Sequence, residues 1–147
     1  MRSPATPAEW AEAKRLVKEY AASLDVDLCF QDFGQELDHF EEVYGPPQGR
    51  FFLESGKGCV GLRRFAEAVG EMKRLYVVPA ARGQGIGEPL ARAVIDAARV
   101  IGYRRVVLDT LPDMKAAQKL YRSLGFRDIA AYRHNPVEGT LFFELQL

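Results

Sequence analysis

From Trp10 onward the apolar residues Trp10, Ala13, Val17, Tyr20 and Leu24 recur near the helical period and trace one stripe. Thr6 supplies an N-cap, Pro7 a first helical residue and Glu9 a capping-box partner, so the pattern predicts a helix over residues 6–24. The short, aromatic-rich "DLCFQDF" predicts a strand. "QELDHFEEVYG" places Leu37, Phe40 and Tyr44 on one side of a short helix, which the breaker "GPPQG" closes. "RFFLES" and "CVGLRRF" flank a Gly-Lys-Gly turn and predict an antiparallel pair, linked to a further strand, "EMKRLYVVP".

The second half alternates in type. A helix from about Gln84 to Ile101 turns Leu90, Ala93, Val94, Ala97 and Ala98 inward, and Gly102 stops it. "YRRVVLDT" predicts a strand, "DMKAAQKLYRSLG" a helix ending at Gly125, and "FRDIAAY" and "GTLFFELQL" two more strands. No repeat, linker or low-complexity segment interrupts this order, so residues 1–147 are expected to form one α/β domain around a mixed sheet flanked by helices.

At the junction of strand and helix lies Arg82-Gly83-Gln84-Gly85-Ile86-Gly87. A strand entering a helix through glycines presents unpaired backbone N–H groups at the positive end of the helix dipole and lets a ligand approach the main chain. That is an anion site suited to phosphate, with a plain tight turn as the competing reading. No Gly-Lys-Ser/Thr occurs, which rules out a P-loop. A GxGxxG register fails at Glu88 or at Leu90, which rules out the dinucleotide fingerprint.

Composition narrows the classes. Twenty basic residues balance twenty acidic ones, so no global field would gather nucleic acid or anionic lipid. Cys29 and Cys59 stand far apart without a CxxC or Cys/His cluster, so neither a zinc site nor a redox motif is indicated and no metal is expected. No apolar run approaches the ~18 residues of a membrane span, and "MRSPATPAEW" lacks the apolar core of a signal peptide. A cytoplasmic location is expected.

The stretch "LYVVPAARGQGIGEPLARAVIDAAR" resembles strand 4, pyrophosphate loop and following helix of the GNAT superfamily of acyl-CoA-dependent N-acetyltransferases, whose loop reads Q/R-x-x-G-x-G/A. "AAQKLYRSLGF" is similar to that superfamily's later helix, which carries a tyrosine and ends in Gly-Phe. The resemblance implies a sheet splayed between strands 4 and 5, with acetyl-CoA as co-substrate. It implies that the backbone from Arg82 through Gly83, Gln84, Gly85 and Ile86 to Gly87 holds the pyrophosphate. Leu75, Tyr76 and Val77 would lie along the pantetheine arm, with main-chain contacts from Leu75 and Val77 and the Val77 N–H toward the thioester oxygen.

The resemblance further casts Tyr121 as the acid that protonates the departing thiolate. It casts Glu71, eleven positions before Arg82, as the general base, and strand alternation would put residues 71, 73, 75 and 77 on one face. Bland alternatives stand beside both: a core tyrosine on an amphipathic helix, and a strand-end charge paired with Lys73 or Arg74. Two departures are visible. Met114 stands where many relatives have a cofactor-contacting asparagine, and Glu88 sets a negative charge beside the phosphate loop.

The implied reaction is acetyl transfer to the primary amine of a small molecule or peptide by direct attack, without a covalent enzyme intermediate. The alternative is a non-catalytic acyl-CoA sensor. The acceptor side is expected among Phe30, Phe33, Tyr44, Arg64, Tyr132, His134 and Asn135, with Arg63 and Arg64 facing opposite ways. Homodimers are common in the superfamily, but no interface is identifiable in the sequence.

Overall fold

A computed structural model describes residues 1–28 and 32–147. The helix α1 runs Pro7–Ala22, opened by the expected capping box: the Thr6 side chain accepts from the Glu9 N–H, and Glu9 reaches back to the Thr6 N–H. The strand expected over residues 27–33 does not extend to its last residue, since Phe33 opens a helix; residues 29–31, with the readings placed on Cys29 and Phe30, lie outside the described residues. The single helix expected next is two, α2 (Phe33–Asp38) and α3 (Phe40–Tyr44), broken where His39 leaves helical geometry at φ −119°, ψ 34°.

The strands β1 (Arg50–Glu54), β2 (Gly58–Ala66) and β3 (Val69–Val77) form an antiparallel meander. Then follow α4 (Gly87–Ile101), β4 (Arg105–Thr110), α5 (Lys115–Ser123), β5 (Arg127–Ile129) and β6 (Leu141–Gln146). The sheet order is β1-β2-β3-β4-β6-β5, mixed because β3 and β4 run parallel. β5 is only three residues long, shorter than "FRDIAAY" predicts, and the chain beyond it turns Tyr132 and Arg133 toward β3. α4 begins three residues later than expected, which leaves Gln84 to Ile86 in the loop.

Each face of the sheet is covered. Leu90, Ala91, Val94, Ile95 and Ala98 of α4 pack with Val60, Leu62 and Met72, joined by Tyr121 and Phe143. On the other face, Ala13, Leu16 and Val17 of α1 and Phe40 and Tyr44 pack on Phe51, Leu53, Cys59 and Tyr76. At roughly 25 cal/mol per Å² of apolar surface, these two layers supply the main drive to fold.

Two irregularities in β3 shape its faces and its edge. It pairs with β4 only at Val69↔Arg105, Gly70↔Val106 and Glu71↔Val107, after which the strands splay. Against β2 the register passes from Cys59↔Tyr76 to Gly61↔Lys73, so Arg74 and Leu75 share the space opposite Val60. Arg74 absorbs this bulge at φ +61°, a conformation a non-glycine residue adopts only at a cost. The extra residue flips the alternation. Met72 and Leu75 join the α4 face, while Tyr76 lies on the α1 face, so the expected single face for residues 71, 73, 75 and 77 does not form.

Candidate active site

Where β3 and β4 part, a groove of about 990 Å³ opens. Its walls are Leu75, Tyr76 and Val77 on one side and residues 111–117 on the other, and its floor reaches the glycine turn and the start of α4. The Val78 N–H bonds to the Lys57 carbonyl, so strand alternation turns the Val77 amide the other way, into the gap. The Val77 carbonyl, turned the same way, accepts from Arg82 Nε at 3.1 Å.

Gly83 and Gly85 take φ of +83° and +72°, and a Cβ built at either would meet nothing within 4 Å. The turn is therefore both left-handed, which favours glycine, and open toward the groove. Ile86 caps α4 without any side-chain hydrogen bond, so the first-turn N–H groups of this 15-residue helix are left to solvent or a ligand. Arg82, Gly83, Gly85, Ile86 and Gly87 line the groove, whereas Gln84 does not. Glu88 is drawn along the helix to Arg92 at 3.2 Å, which offsets its charge beside the turn.

Met114 lines the groove, and its sulfur lies 3.7 Å from Thr110 Oγ1 and 4.0 Å from the Tyr20 hydroxyl. Gln118 holds the wall above it by donating to the carbonyls of Leu111 and Pro112.

The inner end of the groove meets a cavity of about 50 Å³; Tyr20, Leu24, Leu75, Leu111, Met114 and Ala117 border both. Tyr121 stands on the cavity wall, 7% exposed, its ring against Phe126 and Phe143. Burial raises its phenol well above the usual range, so it stays protonated. Lys73, Arg74, Asp109, Thr110 and Asn135 are polar residues of the wall.

Glu71 borders neither space and is fully buried. Its Oε1 receives Arg63 Nε and Arg133 Nη2, each at 3.0 Å, and its Oε2 receives the Tyr132 hydroxyl at 2.5 Å. Burial alone would raise its carboxyl, but Lys73, Arg63, Arg133 and Tyr132 outweigh that and hold it below the usual range. Such a carboxylate, saturated and off the cavity wall, lacks the reach and the basicity expected of a general base.

The expected acceptor residues divide. Asn135 reaches the cavity and donates to Asp109 at 3.2 Å. Phe33 lies over the Arg74 guanidinium at 5.2 Å. Tyr44 is core, its hydroxyl on Glu36 at 2.8 Å. Arg63 turns inward and Arg64 outward, as alternation requires, and His134 is exposed. The sequence reading missed Glu36, Asp109 and Arg133 and gave Lys73 and Arg74 a part only as charge partners of Glu71, which Lys73 is and Arg74, paired with Glu36, is not. The available signal was "EMKR", four consecutive residues of a strand flanked on both sides, three of them charged.

Lys73 is 4% exposed and lies 3.5 Å from Asp109 and 3.9 Å from Glu71. Burial, with Arg74 beside it, lowers its ammonium to about 8 against the pull of both acids. Cys59 is buried with its sulfur toward the Arg74 carbonyl, and burial raises its thiol well above the usual range. Among the described residues no cluster of His, Cys, Asp and Glu could hold a metal ion, and no helix is long and apolar enough to cross a membrane.

Residues 10–126 match the Acetyltransferase (GNAT) family. An uncharacterized N-acetyltransferase of Schizosaccharomyces pombe is 37% identical over 96% of this chain and 90% of its own length. Human N-acetylaspartate synthetase is 40% identical over 76% of the chain, which spans only 41% of that protein. An acetyltransferase from Streptococcus agalactiae superposes with a TM-score of 0.77 at 20% identity, covering 99% of this chain and 96% of that one. A Salmonella typhimurium protein solved with its cofactor acetyl-CoA superposes with a TM-score of 0.67 at 22% identity, covering 97% and 90%.

Proposed function

The chain belongs to the acetyltransferase (GNAT) family, and from that premise we propose that it moves an acetyl group from acetyl-CoA to the primary amine of a small molecule by direct attack in a ternary complex. The observation that carries this reading is continuity: a groove with a phosphate-suited turn at one end meets a polar cavity at the other. The N-acetylaspartate synthetases among the relatives support a small-molecule acceptor, as does the small size of the cavity.

Acetyl-CoA fits the groove on three counts: its length of exposed strand, the open glycine turn, and the uncapped helix start. When bound it supplies an acyl carbon already activated as a thioester. The backbone of Leu75 and Val77 can bond to an extended chain as a further strand would, and the Val77 N–H offers a fixed donor to the acyl oxygen. Tyr121, kept protonated on the cavity wall, gives its proton to the leaving sulfur.

An alkylammonium titrates near ~10 and must lose a proton before it attacks. In place of Glu71 we assign this step to Asp109, directly or through one water, because Asp109 is the carboxylate on the cavity wall. Glu71 then acts as the anion that positions Arg63, Lys73, Tyr132 and Arg133. The raised thiol of Cys59 favours direct attack over an acyl-enzyme at that residue.

The test is thermal unfolding with and without acetyl-CoA, followed by thiol release with added amines. Ligand at ~100 times Kd adds about 2.7 kcal/mol of stability. Stabilisation with amine-dependent thiol release supports the reading. Stabilisation without it makes the chain an acyl-CoA sensor, and no stabilisation removes the binding site.

A further inference from the structure

Past the neck that joins groove to cavity there is little room. The cavity of about 50 Å³ holds on the order of four water-sized groups, at roughly 10–15 Å³ each. With the pantetheine arm along Leu75 and Val77, the acyl carbon arrives at this neck and its chain runs on into the cavity. The reacting amine must share that space.

Met114 reaches across the neck. Its backbone stands at the N-cap of α5, where its side chain makes no capping hydrogen bond. The sulfur instead receives the Thr110 hydroxyl, from the end of β4, at 3.7 Å and the Tyr20 hydroxyl, from α1, at 4.0 Å. One thioether therefore ties three elements together where the two spaces meet. Thr110 is buried, and burial pushes the Tyr20 phenol up to about 12, so both hydroxyls remain donors. Methionine adapts readily in most settings, but here two donors hold its sulfur in place. Other side chains at the neck are committed elsewhere or already small. The Tyr20 ring packs on Tyr76 at 5.6 Å between centroids, Leu75 joins the α4 face, and residue 117 is alanine.

Resting on the acetyl-transfer reading above, we propose that Met114 sets the length of the acyl group, admitting acetyl and turning longer chains away. A longer chain has to enter a space that the Met114 side chain closes on one side. Overfilling such a site forces neighbours out of their preferred rotamers, and a single methylene there is worth about 10- to 200-fold in selectivity. Met114 is thus a specificity-determining residue, and the thioether that spans the neck is the part that acts.

The test is the dissociation constant of acetyl-, propionyl- and butyryl-CoA, each taken from titration of the unfolding midpoint, which needs no acceptor. The wild type should bind butyryl-CoA about tenfold or more weakly than acetyl-CoA, with propionyl-CoA between them. Met114→Ala should close that gap to about threefold or less, while Met114→Leu, which keeps the bulk, should retain it. Should Met114→Ala not fold, Met114→Ser removes the same bulk and offers α5 the side-chain cap it lacks. Equal wild-type constants for the three thioesters overturn the proposal and leave acetyl-CoA binding intact. So does a gap that Met114→Ala or Met114→Ser leaves unchanged. A gap that closes, in a protein without amine-dependent thiol release, keeps the length limit while removing acetyl transfer. No stabilisation by any of the three thioesters removes both.

Discussion

Arg74 grips Glu36 at two points, Nε to Oε2 at 3.0 Å and Nη2 to Oε1 at 2.8 Å, with both side chains at 3% exposure or less. This pair ties the bulged centre of β3 to α2. Burial opposes both charges, yet Arg74 and the Tyr44 hydroxyl hold the Glu36 carboxyl below its usual range. Arg74→Ala strands a buried carboxylate and should cost about 3–5 kcal/mol, read from the urea midpoint. Arg74→Lys should recover only part of that, because lysine cannot reproduce the two-point fork. An Arg74→Ala loss within experimental error of zero would show the pair to be inert.

Tyr121→Phe removes the proton on the cavity wall but keeps the ring against Phe126 and Phe143. We expect kcat to fall about 100-fold, with the urea midpoint and the acetyl-CoA KM little changed. An unaltered kcat withdraws the acid assignment.

Gly85→Val forces a β-branched residue into φ +72°, where the open turn must rearrange. The effect should concentrate on the cofactor, raising the acetyl-CoA KM about tenfold or more by loss of backbone donors. Titration of the unfolding midpoint against acetyl-CoA gives the same constant without turnover, and an unchanged constant would detach the turn from phosphate binding.

Glu71→Gln separates base from anchor. As an anchor, its loss leaves Arg63, Lys73 and Arg133 around a neutral amide, so stability falls while the acid limb of the pH–rate profile survives. If the acid limb vanishes instead, Glu71 is the base after all.

The pH dependence of stability follows from the same groups. Glu36 and Glu71 have folded pKa values below their ordinary value of 4.5, so their contribution is complete above that value and is lost as pH falls through the lowered ones. Lys73 works in the opposite range. Its folded value of about 8 lies below the ordinary 10.5, so its cost is full below 8 and is relieved as pH rises toward 10.5. Across that window the thermal midpoint of wild type should rise relative to that of Lys73→Met.

Local signals in the chain carried much of the fold. Thr6, Pro7 and Glu9 announce α1, Gly102 announces the end of α4, and alternation announces the meander. The glycine turn was legible because backbone conformation is a local property. The ion-pair set was not, since Arg133 meets Glu71 across 62 positions and no periodicity encodes such a meeting. The bulge at Arg74 escaped for a related reason. One added residue leaves the sequence of a strand unremarkable, yet it reassigns every face beyond it.

The parting of β3 from β4 gives this sheet an edge in its own interior, with no β4 partner from Met72 onward. Natural proteins blunt their outer edges with charge, proline or bulges, because an unpaired strand is a template for any passing chain. On the acetyl-CoA reading proposed above, the amides along β3 stay open for the ligand to pair with them, and the Arg74 bulge interrupts the template only partway along. Ligand occupancy therefore closes the sheet. The concentration of coenzyme A in a preparation should govern its resistance to aggregation as well as its rate of turnover.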